Sequence, residues 1–161
     1  MGKLFILMGA PGSGKSTWVK NHMTLNDSYI SRDDVRFSMV PEGDEYFSKE
    51  KEVFKEFIRR IDEDLKFHNV FADATHLTAA SRNKLLRAIS TKPDAVEVIW
   101  IKTPLDVALD QNENRKETRS YVPRSVIRRM YCQIEKPEFE EGIDKIYIVE
   151  PNKDIQIIER K

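Results

Sequence analysis

Cysteine is nearly missing from these 161 residues: Cys132 stands alone, so no internal disulfide can form, and no Cys/His cluster has zinc-ligand spacing. No apolar run approaches the roughly 18 residues that span a bilayer. Position six is Ile6 rather than the Ser or Thr that would make Gly2 a myristoylation signal. A strand-like run follows Met1-Gly2-Lys3 directly, without a secretory signal, so the expectation is a cytoplasmic protein with no membrane partner. An excess of one charge is missing too, with 27 Lys and Arg against 27 Asp and Glu, which excludes a global pull toward nucleic acid or membrane. Repeats, low-complexity tracts and linkers are absent, and the length fits one domain, 1–161, with a real core.

What the chain does contain is concentrated near its start. Residues 9 to 16 read Gly9-Ala10-Pro11-Gly12-Ser13-Gly14-Lys15-Ser16, a complete phosphate-binding loop. The apolar run Leu4-Phe5-Ile6-Leu7-Met8 precedes it, and a helix-compatible run from Thr17 to Met23 follows. That strand–loop–helix context separates a P-loop from a chance glycine string. Gly12 and Gly14 let backbone N–H groups turn inward around phosphate oxygens, and the helix adds the positive end of its dipole. Lys15 can reach the β- and γ-phosphates, and the Ser16 hydroxyl suits Mg²⁺. The expected ligands are therefore ATP, or another nucleoside triphosphate, and Mg²⁺, with residues 9–17 as the nucleotide contacts.

Five short apolar runs read as strands: 3–8, 28–31, 69–73, 95–101 and 145–149. Helical periodicity lies between them. Phe54, Phe57, Ile58, Ile61 and Leu65 form one stripe at i, i+3, i+4, i+7 and i+11, which reads as core rather than ligand box. Alternating strands and helices imply βαβ units and a three-layer α/β domain, its central parallel sheet of four to five strands covered on both faces. Ligands then belong at the carboxyl ends of the strands.

Polar clusters occupy those ends. After the second strand comes Ser31-Arg32-Asp33-Asp34-Val35-Arg36, and after the third comes Asp73-Ala74-Thr75-His76. Asp33 or Asp34 could cap the helix beginning near Val35, but one cap does not need two carboxylates with two arginines. Phosphoryl transfer to a hydroxyl needs a base or positioning group beside the acceptor, and a carboxylate at a neighbouring strand end suits this. Arg36, three residues beyond Asp33, can face the same cleft and grip an anion. Asp73 closes a Walker-B-like strand, where it would hold Mg²⁺ through water or orient Arg36. His76 reads as structural or solvent-facing. A polar lid spans about 112–123, where Arg115 and Arg119 could close onto phosphate charge. Pro123 then suits the first turn of another helix. Residues 111–136 carry seven basic against three acidic side chains, while 42–64 carry nine acidic against five basic, so a polyanion would be bound at one place. Thr91-Lys92-Pro93-Asp94 precedes a strand and reads as a turn, and Cys132 has no companion His for thiol catalysis.

The P-loop with Thr17-Trp18, then Ser31-Arg32-Asp33-Asp34-Val35-Arg36, then Asn112-Glu113-Asn114-Arg115 and Val122-Pro123 with Arg129-Met130-Tyr131, resembles the kinase domain of phage polynucleotide kinase. The resemblance runs from the first strand to about Glu135. It implies a P-loop NTPase fold of the adenylate-kinase-like type and an ATP-dependent 5′-hydroxyl kinase acting on DNA or RNA ends. It further implies Lys15 and Arg115 on the donor phosphates, Ser16 at Mg²⁺, Asp33 as general base, and Arg36 and Asp73 at the acceptor; beside these, Arg119 is expected at the nucleotide, Asp73 at Mg²⁺ and Thr75 at the acceptor. The lid is about two residues longer here, and His76 stands where Asn is expected. The Asp-x-Asp-Gly-Thr phosphatase motif of the phage enzyme does not occur, so this chain would be kinase only, with any phosphatase or ligase a separate partner. Two other readings share the architecture: a small-molecule kinase of adenylylsulfate, gluconate or sugar-nucleotide type, and a nucleotide-dependent switch. The second carboxylate cluster and Arg36 argue against a switch, which needs no acceptor site.

Overall fold

The central strand of the sheet, β1 (Leu4–Met8), is apolar on both faces because it is flanked on both sides and covered on both. In a computed structural model describing all 161 residues, the elements that follow are α1 (Lys15–His22), β2 (Ser28–Ser31), α2 (Arg32–Met39), α3 (Glu50–Leu65), β3 (Val70–Asp73) and α4 (Ala79–Ala88). Then come β4 (Val96–Ile101), α5 (Leu105–Glu113), α6 (Arg124–Cys132), a 3-10 turn (Phe139–Glu141), β5 (Lys145–Val149) and β6 (Gln156–Glu159). The order across the sheet is β2-β3-β1-β4-β5-β6. Its first five strands are parallel, in register from Leu4 opposite Val70 and Val96, and β6 runs antiparallel to β5.

The five predicted strands are found within a residue of their expected ends. The sheet nevertheless has six strands, not four to five. The extra one is an edge hairpin that returns after Asn152 in the left-handed region (φ 57). Only Ile158 of β6 is partly buried, so its sequence lacks the apolar run that marks a covered strand. The α3 stripe is slightly rotated from the expected one: Val53, Phe57, Ile58, Ile61 and Leu65 are buried, while Phe54 sits at the margin below the cations of Arg32 and Lys84.

Two apolar layers sandwich the sheet. The larger unites Leu4, Ile6, Met8, Val70 and Val98 with Val35 of α2, the α3 stripe and Leu85 of α4. The smaller packs Leu7, Phe71, Ile99 and Ile101 against Val19 of α1. This three-layer α/β arrangement, a P-loop fold, leaves the carboxyl ends of β1 to β5 on one rim. Glu97 is the one acid inside β4, and it is satisfied by Lys3 Nζ at 3.3 Å and by Tyr147, whose hydroxyl donates to Oε1 at 2.8 Å. No helix is long and apolar enough to cross a membrane.

Candidate active site

The loop after β1 takes its shape from two glycines, Gly12 (φ 82) and Gly14 (φ 97), in the left-handed region. Gly12 is required for a second reason: a Cβ there would lie 2.4 Å from the Ala108 carbonyl oxygen, so α5 could not approach the loop. Three contacts brace the turn. The Gly9 N–H donates to the Thr75 carbonyl at 3.0 Å, the Ser13 N–H to Ala10 at 3.1 Å, and the Thr103 hydroxyl to the Ser13 carbonyl at 2.7 Å. Ser13 Oγ is buried with no hydrogen-bond partner, an orphaned group at a cradle built for oxygens.

Lys15 opens α1, and its ammonium donates to the Gly9 carbonyl at 2.9 Å and the Ala10 carbonyl at 3.1 Å. Burial pushes its pKa below the usual lysine range, Asp73 and Asp33 push it back up, and Arg115 pushes it down. One lysine thus feels the carboxylates at the ends of β2 and β3 and the lid arginine together. Thr17, also in the first turn of the helix, is exposed.

The cluster at the start of α2 is more tightly wired than its sequence suggests. Ser31, not Asp33 or Asp34, caps α2, accepting the Asp34 N–H at 3.3 Å. Asp33 is therefore free of capping duty. Its Oδ1 accepts from Arg36 Nη1 at 2.6 Å and from the Tyr46 hydroxyl at 2.6 Å, whereas Oδ2 accepts no hydrogen bond and the side chain is 45% exposed. Arg36 is only 5% exposed. Its Nη1 also donates to Tyr46 at 2.7 Å, and its Nη2 to both Glu50 oxygens at 3.1 Å. Tyr46 covers the guanidinium with ring centroid 4.2 Å away, and Glu50 also pairs with Arg32. Burial and the Asp33 charge raise the Tyr46 pKa, keeping its hydroxyl a donor. Tyr46 and Glu50 had no sequence signal: they belong to an irregular stretch and to the first residue of α3, and only tertiary contact gives them a role.

Asp73 ends β3 and is buried, with the Tyr29 hydroxyl donating to Oδ2 at 2.5 Å. Burial raises its pKa, Lys15 lowers it, and the net direction is upward. The expected contact with Arg36 is not made, because Arg36 is enclosed by Asp33, Tyr46 and Glu50. Thr75 contributes its carbonyl to the P-loop, and its hydroxyl makes no hydrogen bond within the chain. His76 is structural rather than solvent-facing: it is buried, holds φ 45, and its Nδ1–H donates to the Leu7 carbonyl at 2.8 Å. Burial, with Arg32, Lys15 and Arg82 nearby, lowers its pKa to about 4 despite the Leu7 bond.

The lid closes on itself through Asn112. This side chain is fully buried at the end of α5, accepting the Val122 N–H at 3.1 Å and donating to the Val122 carbonyl at 2.6 Å. Residues 113–121 therefore form a loop with a pinned neck. Arg115 is half-buried, and its charge lowers the Lys15 pKa. Arg119 turns elsewhere, donating to the Val40 carbonyl at 2.6 Å and lying 4.5 Å over the Phe37 ring, which ties the lid to the end of α2. It is committed there and not to the P-loop.

No group of three or more His, Cys, Asp or Glu side chains is arranged to hold a metal. The donor set instead fits Mg²⁺, which keeps water ligands and is held by few protein groups plus substrate phosphates. Ser16 in the first turn of α1 and the orphaned Ser13 hydroxyl in the cradle fit a phosphate–Mg²⁺ ligand.

The chain matches the sequence profile of a family described as "AAA domain" over residues 4–137. Solved structures share its fold. A chain of the Pnkp1/Rnl/Hen1 RNA repair complex superposes with TM-score 0.70 at 23% identity, covering 99% of this chain and 49% of that one. This chain therefore spans about half the length of that relative. Kti12 from Chaetomium thermophilum, solved with ADP-AlF3, gives TM-score 0.66 at 18% identity over 94% of this chain and 90% of that one. A gluconokinase from Sinorhizobium meliloti 1021 gives 0.58 at 17% over 95% and 84%.

Proposed function

Because the chain belongs to this AAA domain family, with a P-loop kinase-like domain spanning most of its length, we propose that it transfers the γ-phosphoryl group of ATP to the 5′-hydroxyl end of DNA or RNA. The observation that carries the reading is a carboxylate held at one oxygen and open at the other, Asp33, on the same strand-end rim as the P-loop and its lysine, Lys15. A nucleotide-dependent switch has no use for such an acceptor carboxylate.

In the proposed reaction the acceptor oxygen bonds to the γ-phosphorus while the bond from that phosphorus to the β,γ-bridging oxygen breaks, releasing ADP. The hydroxyl proton passes to Asp33, whose Oδ2 is free to receive it. Arg36 and Tyr46 hold Oδ1 and so aim the carboxylate. Lys15 leaves its two carbonyls for the phosphates and, with Arg115, offsets charge on the transferring group. Ser16, and Asp73 through water, would hold Mg²⁺, which would supply charge neutralisation when bound.

Support for a nucleic-acid acceptor comes from the resemblance of Asp33, Arg36 and the lid to polynucleotide kinase, from the basic 111–136 region and from the likeness to the RNA repair complex chain. The assembly of that chain in an RNA repair complex supports a separate repair partner here. A second reading, a small-molecule kinase, is favoured by one observation: Arg36 is shut behind Glu50 and Tyr46, which shrinks the acceptor space. The deciding experiment offers γ-labelled ATP and Mg²⁺ to a short 5′-hydroxyl oligonucleotide, its 5′-phosphorylated twin, gluconate and adenylylsulfate. Label on the hydroxyl end alone is the expected result. Label on a small acceptor only would transfer the assignment to the second reading.

A further inference from the structure

Resting on the polynucleotide reading, we propose that Phe47, backed by Tyr46, is the platform on which the acceptor's terminal nucleobase stacks. Phe47 lies between α2 and α3, outside both core layers, with 58% of its surface exposed. A single exposed aromatic is ordinary, but this one is wired to the proposed base. The Phe47 ring meets Tyr46 edge-to-face at 4.6 Å and 85°, and the Tyr46 hydroxyl bonds Asp33 Oδ1. Arg36 lies under both rings, 4.2 Å from the Tyr46 centroid and 5.5 Å from that of Phe47. The neighbouring Phe37 is covered by the Arg119 guanidinium, so of the three rings Phe37, Tyr46 and Phe47 only Phe47 is exposed.

The chemistry beside it selects a base over a phosphate. Glu42, Asp44 and Glu45 are exposed on the same segment and repel a nucleic-acid backbone, but they do not oppose an uncharged ring. Stacking on an aromatic face is tolerant of sequence, since every base has a π-face, and it orients the terminal nucleoside relative to its 5′-hydroxyl. An anionic sugar acid gains nothing from this surface.

The test compares unsubstituted protein with Phe47→Ala and Phe47→Trp on two acceptors, a 5′-hydroxyl oligonucleotide and the same strand with an abasic 5′ nucleoside. Phe47→Ala is expected to raise the acceptor KM about tenfold, with the ATP KM unmoved as a check on folding. Phe47→Trp is expected to restore it. Base removal should raise KM about tenfold for the unsubstituted protein and much less for Phe47→Ala, because the two changes delete one contact. An unchanged KM in Phe47→Ala, or equal discrimination against the abasic strand, overturns the platform while leaving the kinase assignment intact. Failure of the unsubstituted protein to label either strand instead overturns the polynucleotide reading, and the platform falls with it.

Discussion

Asp33 has two unequal oxygens, and the inequality decides what the residue can do. Oδ1 is saturated by Arg36 and Tyr46, so the carboxylate cannot rotate freely, while Oδ2 keeps its lone pairs for a proton. Replacing Asp33 with Asn preserves the shape and the acceptor oxygen for Arg36 but removes the basic group. General-base removal at such a site costs about 10²- to 10⁴-fold in rate. Asp33→Asn is therefore expected to lower single-turnover transfer by about that factor, with the nucleotide Kd within about twofold of normal. Transfer retained within tenfold would remove Asp33 from proton transfer and leave it a positioning group. Asp33, Arg36 and the P-loop were legible in sequence because each carries its chemistry in a local pattern: glycines where the backbone turns, and an i, i+3 pair on a helix start. Tyr46 and Glu50 were not, because they reach Arg36 across 10 and 14 residues of chain, a distance at which no periodicity links them.

At the level of elements, the segment joining β3 to α4 holds the rim in place. Arg82, fully buried on α4, donates bidentately to Glu141 at 2.7 and 3.1 Å, to the His76 carbonyl at 2.9 Å and to the Glu135 carbonyl at 3.0 Å. It thereby locks the chain after α6 against the loop that supports the P-loop. His76 completes this lock as a neutral imidazole, with a folded pKa of about 4 against an ordinary value of 6.5. The sign follows from proton counting. Between those values the unfolded chain binds a proton that the native site refuses, so stability falls as pH drops from about 6.5 toward 4 and loses nothing further from this group below that. At pH 4.5 the loss reaches about 2 kcal/mol. His76→Asn suits the positive φ and cannot titrate. Urea unfolding at pH 7 and 4.5 is expected to show a smaller acid loss for His76→Asn than for the unsubstituted protein, by about 2 kcal/mol. Parallel losses would mean His76 is protonated in both states. The sequence marked β1, β3 and β4 clearly, since strands covered on both faces are mostly apolar, with Glu97 the one acid inside β4. It marked β6 poorly, since an edge strand with one partly buried side chain has no such constraint.

Over the whole molecule, neutrality hides a division of charge. The acidic excess of 42–64 lies on α3 and the segment before it, and the basic excess of 111–136 on the lid and α6. Within the basic region Arg124 is paired with Glu113 at 3.4 Å and Arg119 is bound to α2 carbonyls, but Lys116, Arg128 and Arg129 are exposed without an acidic partner. On the proposed polynucleotide reading, these few cations and Arg115 are what a strand would meet, with the acidic side repelling its backbone. Each neutralised phosphate of a single strand contributes about −0.7 to the slope of log affinity on log salt. For about two to four contacts, log kcat/KM for an oligonucleotide should fall with log potassium chloride at a slope near −1.5 to −3. Arg128→Glu with Arg129→Glu should flatten that slope by about one or more while leaving the ATP Kd alone. A slope of zero would mean that none of these cations contacts the acceptor backbone. A slope steeper than about −5 would require a backbone track longer than this surface provides.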